Sequence, residues 1–77
     1  MKATVIATQE QLSSIGIPPF DGIQEEDFRT GVEVEIINKN LFDHPVLGVI
    51  AEVKYLHEIL YYSLPLKWLK LNEDASN

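Results

Sequence analysis

Residues 46–62 read VLGVIAEVKYLHEILYY, and their folding decides the architecture. With a period of two, Val49, Ala51, Val53 and Tyr55 line one face of a strand. Residues 55–58 then make a turn, and residues 59–64 form a second strand. With a period near 3.6, Val46, Val49, Ile50, Val53, Leu56 and Leu60 make an apolar helical stripe. Asp43 would cap that helix, and Pro45 would suit its first turn. Gly48 and the β-branched residues lean towards the strand. Periodicity alone leaves the helix open.

The flanks bear on the choice. Downstream runs LYYSLPLKWLKL, residues 60–71. As a strand, Leu60, Tyr62 and Leu64 point one way, and Tyr61 and Ser63 the other. Pro65 sets φ for a turn and cannot continue the ladder. Leu66 and Leu69, three apart, would close the bottom of a small core, with Trp68 partly outside. Upstream, VEVEII (32–37) alternates cleanly, with Val32, Val34 and Ile36 inward and Glu33 and Glu35 outward. The following NKN (38–40) reads as a turn or loop start.

At the N-terminal end KATVIAT (2–8) alternates, placing Ala3, Val5 and Ala7 on one face. Thr8 precedes Gln11 by three residues, the spacing of a capping box. Residues 9–15 therefore read as a helical turn or two, with Gly16 as its stop. Residues 16–27, GIPPFDGIQEED, read as a loop. Its length invites a functional role, although a connector anchored by Phe20 would look the same. Residues 72–77 read as a polar tail.

Two of these segments, in order, carry a resemblance. The first is EEDFRTGVEVEII, an acidic loop with Phe28 and Gly31 three apart before a strand. The second is SLPLKWLKL, a strand end, Pro65, Trp68 three residues on, and a closing strand. The pair resembles the Src-homology-three family of small β-barrels over roughly residues 2–71. The resemblance implies an antiparallel barrel of about five strands, with the turn after Thr8 as an insertion. It also implies a single turn of 3₁₀ helix between Pro65 and Trp68. The chain departs from the family pattern in its first strand, which has no aromatic residue. The paired tryptophans of the third strand are also absent, so the resemblance implies the barrel rather than the family's proline-peptide groove.

Composition narrows the function. The chain has 77 residues, so one domain is expected, over residues 1–71. With no cysteine, no disulfide or thiolate site supports it, which fits a reducing cytoplasm. Nothing at the start reads as a signal peptide, and no stretch of about 18 apolar residues exists for a spanning helix. The net charge is −6, and Arg29 is the only arginine. Phosphate-backbone binding needs clustered cations, so direct contact with nucleic acid is not expected.

The chemistry-bearing residues do not form a catalytic or metal constellation. His44 and His57 lack the spacing of a zinc motif, and no serine lies in a nucleophile elbow. No glycine-rich phosphate loop exists, so neither cofactor nor enzyme activity is expected. What remains is an acidic cluster, Asp21, Glu25, Glu26, Asp27, Glu33 and Glu35, with the aromatics Tyr55, Tyr61, Tyr62 and Trp68. The acids suit a basic partner, and they equally suit a solvated face. Tyrosine and tryptophan suit an interface, and they equally suit a core. The resulting expectation is a non-catalytic, cytoplasmic protein-binding module or accessory subunit, with self-association open. Its partner-binding face would join the acidic residues to Tyr61, Pro65 and Trp68. A second expectation is an acidic phage-type inhibitor that mimics nucleic acid.

Overall fold

The computed structural model describes residues 1–20 and 28–72. Strand β1 (Lys2–Val5) leads into helix α1 (Gln9–Ser14), then β2 (Glu33–His44), β3 (Gly48–Tyr55) and β4 (Tyr61–Pro65). A 3₁₀ turn (Leu66–Trp68) connects to β5 (Leu69–Leu71). All five strands join one antiparallel sheet in the order β4-β3-β2-β1-β5.

Residues 46–62 thus follow the period of two. Ala51, Val53 and Tyr55 of β3 are buried in the core with Leu64 of β4, while Val49 is only half-buried and Ile50 is buried on the opposite face. The helix is defeated because a strand here gains partners on both sides. Val53 lies between Ile36 and Tyr62, a placement no isolated helix offers. Ala3, Val5, Ala7 and Leu12 add the N-terminal part of the core, and Leu69 closes it with Leu66 and Trp68 packed against it.

Helix α1 starts as its sequence predicts. The Thr8 side chain accepts from the Gln11 N–H at 3.1 Å, and the Gln11 side chain accepts from the Thr8 N–H at 2.9 Å. After the helix, Gly16 takes φ +93°, a conformation that favours glycine.

The expected turn at residues 38–40 is not a turn. Strand β2 continues to His44, with register shifts between Ile36 and Asn38 and between Asn38 and Phe42. The local bond that makes Asn38 resemble a turn residue does form, since its Oδ1 accepts the Asn40 N–H at 3.0 Å. It forms inside a bulge, which absorbs extra residues without reversing the chain. The reversal comes at residues 45–47, where the His44 Nδ1 accepts the N–H groups of Val46 and Leu47, each at 3.0 Å. Leu60 also departs from expectation. It precedes β4 and is exposed, because the β3–β4 turn extends over residues 56–60.

Candidate functional site

The predicted binding residues divide into three groups. Asp21, Glu25, Glu26 and Asp27 lie outside the described residues. Glu33, Glu35 and Tyr61 lie on the outer face of the sheet. Pro65 and Trp68 lie at the junction between the two edge strands.

Register defines the outer face, because residues paired across an antiparallel ladder share a side. One row runs Lys2, Glu35, Lys54, Tyr61 across β1, β2, β3 and β4. A neighbouring row runs Lys70, Thr4, Glu33 across β5, β1 and β2. Asn38, Glu52 and Ser63 form a third. The strand carboxylates therefore alternate with Lys2, Lys54 and Lys70 rather than forming an uninterrupted anionic surface. Glu33 is further engaged, accepting the Asn72 Nδ2 at 3.0 Å, while the Asn72 Oδ1 accepts the Thr4 hydroxyl at 3.1 Å. The amino terminus approaches Glu35 at 3.9 Å, a half-exposed pair that contributes little to stability.

Pro65 is buried, paired with Ile50 on the face opposite Ala51 and Leu64, so it offers a partner no surface. Its ring fixes φ at −57° where the strand gives way to the 3₁₀ turn. Trp68 is half-buried against the core, and its carbonyl accepts the Ile6 N–H at 2.8 Å. Of the two aromatics predicted to bind a partner, Tyr61 is the exposed one, at 56%. It opens β4 while Pro65 closes it, about 13 Å away at 3.3 Å per residue. Tyr61 and Trp68 are therefore at opposite ends of the strand. Tyr61 instead adjoins the exposed aliphatic turn residues Leu56, Ile59 and Leu60, of which Ile59 reaches 89% exposure.

A different cluster forms around Arg29, which in the sequence is only a lone cation among acids. Its side chain is 3% exposed. The guanidinium carbon lies 4.2 Å from the Phe20 ring centre, 4.7 Å from Tyr55 and 5.2 Å from Tyr62. Phe20 and Tyr62 each meet Tyr55 edge-to-face. Nη1 donates to Glu58 Oε1 at 2.6 Å, and Nε donates to the Pro18 carbonyl at 2.6 Å. The Arg29 backbone N–H donates to Gln9 Oε1 at 2.9 Å, and Gln9 Nε2 donates to the Ile17 carbonyl at 2.8 Å. Chain geometry explains the convergence. Gly31, at φ +83°, turns the chain from Arg29 into β2, while β3 and β4 supply Tyr55, Tyr62 and the turn that carries Glu58.

The electrostatics follow. Burial penalises the charged guanidinium, and the hydrogen bond and charge of Glu58 outweigh that penalty, so the Arg29 pKa rises above its ordinary value. Burial pushes the Tyr55 phenol up to about 12, against the opposing pull of Arg29. The Tyr55 hydroxyl is buried and has no hydrogen-bond partner among the described residues. The signal available in sequence is the solitary arginine between Phe28 and Gly31, preceded by Phe20. A solitary cation inside a core needs a carboxylate, but nothing local identifies Glu58.

An open groove of about 650 Å³ runs beside α1, lined by Gln9, Glu10, Ser13, Pro19 and Phe28 among others. The neighbour of the Ser13 hydroxyl is the Gln9 amide, at 3.1 Å, which cannot serve as a general base. Among the described residues, no three His, Asp or Glu side chains converge as metal ligands, and no helix is long and apolar enough to cross a membrane. No protein-family model, curated protein or solved structure matches the chain.

Proposed function

We propose that the chain is a small, non-catalytic protein-binding module or accessory subunit built as a Src-homology-three-like barrel. Chain reach supports the barrel. In a flat sheet of five strands, the outermost two would lie roughly 19 Å apart at about 4.8 Å per strand. The link between Pro65 and Leu69 is three residues and reaches at most roughly 14 Å. A curled sheet would let that link close, and the strand order β4-β3-β2-β1-β5 supports this reading. The 3₁₀ turn after Pro65 fits the same reading.

The observation that carries the binding role is the apolar end of β4. Three aliphatic turn residues and Tyr61 are exposed beside an edge strand, in a position where turns are ordinarily polar. The partner is a protein with a basic segment, drawn by the net charge of −6 and by the acidic residues 21–27. The alternating lysines on the outer face make the chain a poorer imitation of a phosphate ladder. A nucleic-acid mimic, the second expectation, is therefore the weaker of the two.

Affinity capture from the native host tests this reading. Tyr61→Ala, and separately the pair Glu25→Lys and Glu26→Lys, are expected to lose the same partner while unfolding at the native temperature. An unchanged partner set in both variants would overturn the assignment.

A further inference from the structure

The Arg29 cluster has the composition of a receptor for a planar cation. Three aromatic rings contact the guanidinium at 4.2, 4.7 and 5.2 Å, and a carboxylate and a backbone carbonyl take its N–H groups at 2.6 Å each. Such cages bind cations through the ring quadrupole, while the directed acceptors favour a guanidinium over an ammonium. The cage parts have their own supports. Tyr55 and Tyr62 belong to paired strands, the Glu58 backbone N–H donates to the Tyr55 carbonyl at 3.1 Å, and Ile17 beside Pro18 is tied to Leu12 and Gln9. The backbone of Arg29 is held separately by Gln9, so shortening its side chain leaves that anchor in place.

We infer that Phe20, Tyr55, Tyr62, Glu58 and the Pro18 carbonyl form a guanidinium-binding site, filled in the native chain by Arg29 and open to a free alkylguanidinium when that side chain is removed. The ligand class is a small planar monocation. An alkylammonium of similar size lacks the flat face and the spread of N–H donors, and it pairs with the cage less well. Glu58 supplies the charge, the rings hold the flat face, and the directed acceptors at Glu58 and Pro18 supply the selectivity.

The test uses Arg29→Ala in the full chain, with methylguanidinium chloride as the probe and equimolar methylammonium and sodium chlorides as controls. Thermal unfolding of the variant is expected to rise saturably with millimolar methylguanidinium, by roughly 5–10 °C at about ten times its dissociation constant. The native chain, whose cage is full, is expected to show no rise. Should Arg29→Ala not fold alone, its sheet signal in circular dichroism must return on adding the probe. Removing the carboxylate as well, in Arg29→Ala with Glu58→Ala, is expected to abolish the gain. An equal gain from methylammonium, a gain that survives loss of Glu58, or no gain and no recovery of structure would each overturn the site.

Discussion

Tyr55 holds a buried hydroxyl that no described residue satisfies, and its phenol is pushed up to about 12. A raised folded-state pKa keeps its stabilising effect below the unfolded value near 10 and loses it as pH climbs towards 12. Stability is therefore expected to fall by about 2–3 kcal/mol across that alkaline window. Urea titrations at pH 9 and pH 11.5 measure the fall, and Tyr55→Phe should remove most of it. At neutral pH the same substitution is expected to cost nothing or to stabilise, because it deletes a buried polar group that no described residue pairs. A loss above about 1 kcal/mol would mean that the hydroxyl has a partner. Arg29 behaves oppositely, since its charge is matched. Glu58→Gln leaves the guanidinium buried without its countercharge and is expected to cost about 2–3 kcal/mol. That lies under the range for a fully buried pair because Glu58 is partly exposed. Little of this cluster is legible in the sequence. Arg29 and Glu58 are 29 positions apart, and their meeting depends on which strands pair. No local pattern encodes that.

At the scale of elements, legibility follows locality. The capping box at Thr8 and Gln11, the alternation of Val34 and Ile36 in β2 with Val32 half-buried just before it, and the break at Pro65 are each written within a few residues, and each appears in the structure. Thr8→Ala is expected to cost about 1 kcal/mol through the lost cap, measured by chemical denaturation. Gly31, at φ +83° with open space where a β-carbon would sit, tests the backbone alone. Gly31→Ala is expected to cost about 1–2 kcal/mol from the left-handed conformation, without any packing clash. A neutral result would mean that the turn into β2 relaxes freely. The far half of β2 is not legible as strand because its bulges interrupt the alternation on which strand reading depends. Residues 37–43 are exposed on both faces and lie beyond the pairing of β2 with β1, which spans Glu33 to Glu35. The acidic face is only half legible, since Glu33 and Glu35 point outward as the alternation requires. Their lysine neighbours come from other strands and follow from register.

For the molecule as a whole, strand order does what composition cannot. It brings the two chain ends of the sheet, β1 and β5, side by side and leaves β4 as the edge beyond which the apolar turn projects. Pro65 is buried and Trp68 half-buried, so of the residues predicted to bind a partner at this end of the chain Tyr61 is the aromatic left exposed. The acidic excess and this apolar edge are the features on which the proposed binding role rests. Cross-strand nuclear Overhauser effects probe the strand order without an intermediary. Strand β1 is expected to show contacts on both flanks, Ala3 with Val34 and Thr4 with Lys70, while Val53 contacts both Ile36 and Tyr62. Helical contacts between residues three apart throughout 46–62, or a β1 paired with β2 alone, would contradict this arrangement.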